Sequence, residues 1–270
     1  MKQKEITEIV NQHFDAMNKL FHKINSGFNT DDIHDFRIEV KELRAFLRLL
    51  AAGWRRRGPL IPMHIKTFYG YVGIIRNIQL HRHNLFKYIG DNKIEKPEEY
   101  LKLLGAEENY WKKEVATLLK ESFEKNEEKA VIKNLPDKLG KPGIRKFIKS
   151  KLNSLKKELH DLPNDEAVHS IRKILKDFLY THKYITDHAD LPGTISDKED
   201  LKILTAQLGD FRDKCIQIEF LQREYLNPLK SESEKSMLNK LKEQLIAEKQ
   251  ALAEEVSPRF DELAEKLPVK

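Results

Sequence analysis

Cysteine is almost missing: Cys215 is the single thiol in 270 residues. That excludes an internal disulfide and suits a reducing compartment. Glycine and proline are scarce, 11 and 10 residues, so a chain built from many tight turns is excluded. No segment keeps the period-2 alternation of a half-buried strand. No apolar run approaches the ~20 residues that cross a bilayer. The start, Met1-Lys2-Gln3-Lys4-Glu5-Ile6, lacks the apolar stretch of a signal peptide. A soluble cytoplasmic protein is therefore expected, with no membrane partner. Charge of one sign is not in great excess either: 49 Lys and Arg stand against 43 Asp and Glu, a net +6. Where the charges sit matters more than their sum.

What remains is 40% hydrophobic and 34% charged, in long runs rich in Leu, Lys and Glu. That composition predicts an all-α chain with a real core. The breakers divide it into helices over about 2–25, 32–57, 61–89, 97–129, 144–160, 165–188, 197–226 and 231–254. A short final helix is expected to start at Ser257-Pro258, because proline suits a first helical position. The densest breaker cluster, 135–143, separates a first half, 1–135, from a second, 144–270, within one domain spanning 1–270.

The stretch 33–48 carries the chemistry. Phe36, Val40, Leu43, Leu47 and Leu50 keep one helical face apolar. Asn29-Thr30-Asp31-Asp32 supplies candidate caps in front. At ~100° per residue, His34, Arg37, Lys41, Arg44 and Arg48 fall in one narrow arc beside the apolar stripe. The acids Asp35, Glu39 and Glu42 fall on the far side. Cations at the edge of a core are costly unless partnered. An anionic ligand fits that role; acids from a neighbouring helix are the alternative.

The pattern recurs. His169, Arg172 and Lys176 repeat His34, Arg37 and Lys41 in the frame H-x-x-R-x-x-x-K, 135 residues later. Lys183 matches Arg48, Leu179 replaces Arg44, and Asp177 repeats the back-face acid Glu42. Gln207-Leu208-Gly209-Asp210-Phe211-Arg212-Asp213 lies on Tyr71-Val72-Gly73-Ile74-Ile75-Arg76-Asn77 at an offset of 136. Two matched blocks at nearly one offset predict two copies of a four-helix unit.

The chain here resembles the CHAD family, the conserved histidine α-helical domain. The hallmark of that family opens a helix with H-x-x-R-x-x-x-[KR]-x-x-R and follows it with L-G-x-x-[RN]-D, once per half. His34, Arg37, Lys41 and Arg44 match the first copy. His169, Arg172 and Lys176 match the second, which has Leu179 at its last position. Leu208 to Asp213 matches the trailing element closely, and Val72 to Asn77 matches it loosely, with Asn77 for the aspartate.

The resemblance implies two four-helix bundles related by a pseudo-twofold axis, with basic helices lining a central channel. It implies inorganic polyphosphate as ligand and association with polyphosphate granules. Arg76 and Arg212 are further candidates, with ion pairs to acids such as Asp210 or Asp213 as the structural alternative. Arg55-Arg56-Arg57 reads as a solvated helix end, with extension of the phosphate track by Arg55 as the alternative. The family often accompanies a CYTH triphosphatase barrel, which needs E-x-E-x-K on a strand. Glu232-Ser233-Glu234-Lys235 has the wrong spacing in a helical stretch, so no attached enzyme is expected.

The expectation is a non-enzymatic polyphosphate-binding protein with no cofactor and no metal. Nucleic acid is the rival ligand, opposed by an arc that lacks interleaved aromatics and base-reading amides. A metal-dependent phosphohydrolase is opposed by the lack of a carboxylate cluster on the basic face. His81-Arg82-His83 puts its histidines on different faces and reads as surface. Cys215 reads as a small buried hydrophobe.

Overall fold

The computed structural model describes residues 1–54, 59–120, 125–160, 164–186 and 191–267. These form α1 Gln3–Gly27, α2 Thr30–Ala52, α3 Met63–Asn92, α4 Glu98–Lys120, α5 Lys125–Lys133, α6 Lys141–His160, α7 Asp165–Ile185, α8 Gly193–Ser196, α9 Lys198–Phe220, α10 Arg223–Leu226 and α11 Glu232–Lys266. No strand is present among the described residues, only an isolated bridge between Lys2 and Lys138. No described helix is long and apolar enough to cross a membrane.

The expected all-α fold is the observed one, with local differences. The span expected as one helix over 97–129 holds α4 and α5, with 121–124 outside the described residues. The expected helix over 197–226 is α9, ended at Leu221 and followed by the single turn α10. The break expected at Ser257-Pro258 does not occur, and α11 runs through Pro258. Proline removes one N–H and crowds the preceding turn. Here Pro258 lies on the solvent side, while Val256, Phe260 and Leu263 stay buried around it. The apolar stripe therefore continues across the proline and holds the helix in place.

The two basic helices, α2 and α7, are neighbours at the centre. Helix α2 packs on α1, α3, α6 and α7; α7 packs on α2, α6, α8 and α9. Phe68 of α3 meets both Phe21 of α1 and Phe36 of α2 at 4.9 Å between ring centroids. The start of α6 crosses the end of α2 where Gly53 faces Gly143. A Cβ added at either glycine would come within 2.9 Å of the other's Cα, so the crossing needs two glycines.

The core does not divide between the halves. One cluster joins Ile6, Phe36 and Val72 to Ile171, Leu204 and Phe260. A second joins Ile78, Leu85, Tyr100 and Leu104 to Phe220, Leu238 and Leu241. His81, expected at the surface, lies in this second cluster and is 1% exposed. It stacks on Phe220 at 4.8 Å. Tyr100 Oη donates to the Phe220 carbonyl at 2.8 Å and so accepts from His81 Nε2, also at 2.8 Å. Burial holds the imidazole pKa at about 4.

Helix starts are also shared between halves. The Glu234 carboxylate accepts from the backbone N–H groups of Glu99 and Tyr100, each at 3.1 Å. The Glu99 carboxylate accepts from the N–H groups of Lys230 at 2.7 Å and Ser231 at 3.2 Å. Glu234 thus satisfies first-turn donors of α4 that have no partner inside their own helix, and Glu99 holds the N-cap residue of α11 and the residue before it. The two glutamates are 135 residues apart, the offset of the repeat.

Candidate functional site

Both basic helices start the same way. Asn29 accepts from the N–H groups of Asp31 and Asp32 at 2.8 and 3.4 Å. Asn164 accepts from Glu166 and Ala167 at the same two distances. Each asparagine precedes its histidine by five residues, so the cap repeats with the hallmark and fixes the helix start in both copies. Acids follow each cap, Asp31 and Asp32 in α2, Asp165 and Glu166 in α7, where the helix dipole favours them.

Arg37 is anchored by α3. Its Nη1 donates to the Tyr69 carbonyl at 2.7 Å, and its guanidinium lies 4.1 Å from the Tyr69 ring centroid. Arg44 lies 5.9 Å from the same ring. Gly73 makes room for this arrangement: a Cβ there would stand 2.0 Å from Arg37 Nη1. Gly209 backs Arg172 in the same way, with more space: a Cβ added there would stand 3.7 Å from Arg172 Nη2. In both copies the trailing glycine lies against the hallmark arginine, but only at Gly73 does seating that arginine require a glycine.

The two arcs meet. Arg172 acts on Arg37, and burial is the larger force lowering the Arg37 pKa. Lys41 feels both arcs. Burial lowers its ammonium pKa most, then Arg37, Arg172, Lys176 and Arg76, to about 7 from 10.5. Burial and then Arg172 lower Lys176. Lys41 and Arg172 make no hydrogen bond or ion pair with any described residue, and Arg172 Nε is buried without a partner. His34 is lowered by burial, then by Arg76 and Lys41; His169 by burial, then by Lys173, Arg212 and Arg172. Each histidine thus has the trailing arginine of its own half beside it.

Two residues of the expected arc stand elsewhere. Arg48 pairs with Asp177 of α7, its Nε donating to Oδ2 at 2.9 Å, and Lys151 of α6 donates to the same carboxylate at 2.6 Å. Asp177 is 4% exposed, so it is no solvated back-face acid; it ties α2, α6 and α7 together. Lys183 lies 4.9 Å from the Tyr184 ring and lines a cavity of about 240 Å³ with His13, Glu39, Glu42 and Tyr180. Arg76 donates to the Thr30 carbonyl at 2.6 Å, and Arg212 pairs with Glu219 at 3.1 Å, so neither is bonded to Asp210 or Asp213. Arg55 lies outside the described residues.

Three participants escape a reading of the arc alone. Tyr69 underlies Arg37 and Arg44, and Tyr180 lies 5.7 Å below Lys176, so aromatic rings do stand among the cations. Burial pushes the Tyr180 phenol up to about 12. Asp213 of α9 is open to solvent yet closely surrounded, and enclosure raises its pKa against the pull of Arg172, Arg76 and Lys41. Period and spacing within one helix say nothing about Tyr69 and Asp213, which arrive from α3 and α9; Tyr180 follows Lys176 by four residues on α7, so its place beside the cations was open to a helical reading. Among the described residues no group of three or more His, Cys, Asp or Glu is placed to hold a metal ion.

The comparisons with known proteins agree with this architecture. The fold is similar to the crystal structure of the CHAD domain from the plant Ricinus communis, with a TM-score of 0.74 and 15% identity over 99% of this chain and 93% of that one. No curated protein matches the chain. The CHAD domain family model matches residues 8–222. The chain belongs to the CHAD domain family.

Proposed function

We propose that the chain binds inorganic polyphosphate in a central channel between its two basic helices and leaves it unhydrolysed. The observation that carries this reading is Lys41: half-buried, without a hydrogen-bond or ion-pair partner among the described residues, and set among Arg37, Arg172, Lys176 and Arg76. Such a concentration of like charge beside a core is unfavourable in the free protein. A polyanion relieves it, because each phosphate supplies charge and acceptor oxygens at once. Arg37, already oriented by Tyr69, offers the remaining donors of a planar fork to phosphate oxygens. In a cell this reading places the protein at cytoplasmic polyphosphate granules.

Nucleic acid is the second reading, and Tyr69 and Tyr180 favour it, since rings between cations can stack bases. Competition separates the two. Long polyphosphate should displace itself from the protein far better than duplex or single-stranded nucleic acid at equal phosphate concentration. Its affinity should fall steeply with salt as counterions are released, by several units of log K per unit of log salt. Equal displacement by DNA, or affinity unchanged between low and moderate salt, overturns the proposal.

A further inference from the structure

Helix α6 carries seven Lys or Arg and one acid, Glu158. Its net charge alone equals the +6 of the whole chain, so the rest of the molecule is balanced. Its counterpart in the first half, α1, holds three cations and three acids. The structural task is the same: α1 packs on α2, and α6 packs on α7. The fold therefore needs no basic α6.

Local physics opposes it as well. The first turn has no acid, and Lys141, Arg145 and Lys146 crowd the positive end of the helix dipole. Lys141–Arg145 and Arg145–Lys149 are like-charge pairs four residues apart. Lys151 turns inward to Asp177, but Lys141, Arg145, Lys146, Lys149, Lys156 and Lys157 are all exposed. None of the five exposed lysines pairs with an acid among the described residues.

The helix is about 30 Å long at 1.5 Å per residue, so these charges form a band on the outside of the molecule. The band includes no exposed aromatic or large aliphatic side chain. That disfavours insertion into a lipid surface, which needs an apolar face, and stacking of bases, which needs rings. Lysine-rich and ring-free, it fits a flexible inorganic polyanion held by point charges.

We propose that the outer face of α6 is a second docking surface, which holds another stretch of the long polyphosphate bound at the central cluster. This rests on the proposed function for the cluster. Two surfaces on one ligand add through effective concentration, so long chains gain more than short ones.

The test replaces Lys141, Lys146, Lys149, Lys156 and Lys157 together by glutamine, with Lys19→Gln on α1 as control. Circular dichroism and urea unfolding check the fold. Affinities are measured for long and for very short polyphosphate across a salt series. The expected result is short-chain affinity within about twofold of wild type, long-chain affinity down about tenfold or more, and a shallower salt slope for long chains only. Long-chain affinity and slope equal to wild type overturn the second surface while leaving the cluster intact. Loss confined to duplex DNA or to anionic phospholipid vesicles overturns it too, by assigning the face to another occupant. A wild-type protein that binds no polyphosphate overturns the proposed function itself.

Discussion

Binding of polyphosphate should load a proton onto Lys41. In the free protein its pKa is about 7. The groups that face it are Arg37 and His34 from α2, Arg172 and Lys176 from α7, Arg76 from α3 and Asp213 from α9. Cations outnumber the one acid. A bound phosphate chain reverses that balance and returns the ammonium towards its ordinary 10.5. Between the two values the complex holds more protons than the free protein, so affinity is highest below pH 7 and declines as pH rises. At pH 9 about 99% of free Lys41 is neutral, and recharging it costs about two pKa units, ~2.7 kcal/mol or about 100-fold in affinity. The assay is fluorescence anisotropy with end-labelled long polyphosphate from pH 6 to 9.5 at fixed ionic strength. Calorimetry at pH 8 in two buffers of different ionisation enthalpy counts the protons taken up. Lys41→Met should flatten the alkaline limb, and Lys41→Arg should keep high affinity with little slope. Absence of proton uptake at pH 8, or an alkaline limb unchanged in Lys41→Met, refutes the reasoning.

Arg37→Glu and Arg172→Glu should each weaken binding of the same long chain by roughly 2–4 kcal/mol, since a lost contact is joined by repulsion. Lys19→Glu on the exposed face of α1 should change it little; titration of all three checks whether the halves share one ligand path. Gly73→Ala should displace Arg37 and reduce affinity, while Gly209→Ala, whose added Cβ would meet Arg172 at an ordinary contact distance of 3.7 Å, should keep affinity and gain up to about 1 kcal/mol of helix stability; paired binding and urea titrations separate them. His81 predicts acid sensitivity. Its folded pKa of about 4 lies below the ordinary 6.5, so the unfolded chain binds the proton more readily, and stability drops as pH falls from 6.5 to 4. The drop from pH 7 to 4.5 should be about 2.5 kcal/mol by urea unfolding, and His81→Phe should remove that share of it. Phosphate release from polyphosphate or nucleoside triphosphates, with Mg²⁺ or Mn²⁺, should stay at background in a colorimetric assay.

Much of this was legible in the sequence because helices report their own faces. The spacing of Phe36, Val40 and Leu43 shows which side of α2 is buried, and the arc of His34, Arg37 and Lys41 follows from it. The repeat at 135 residues links the second copy to the first without any structure. Arg48 was not separable from that arc, because its partner Asp177 sits on another helix and resembles a surface acid in one dimension. Tyr69 and Asp213 were missed for the same reason: they reach the cluster from α3 and α9, and no local period encodes that meeting. Gly73 and Gly209 were visible as matched positions, but the need for glycine at Gly73 shows only once Arg37 lies against it. His81 read as surface because it and His83 fall on different helix faces; its fate was decided by Tyr100 and Phe220, far along the chain.

The glutamates exchanged between the halves bear on descent. Glu99 and Glu234 stand 135 residues apart, and each reaches from the start of its own helix to the start of a helix in the other copy. In a half-length ancestor, bonds of this kind would run between two molecules. The bonds now made inside one chain are no longer matched: Glu234 accepts at 99 and 100, whereas Glu99 accepts at 230 and 231, four residues before the equivalent positions 234 and 235. Fusion of two such genes would turn a concentration-dependent contact into a permanent one and free the copies to drift apart, as α1 and α6 have done in charge. Residues 1–140 and 141–270 produced as separate polypeptides should then find each other in solution, where either alone leaves the apolar cluster around Tyr100 and Phe220 open to water.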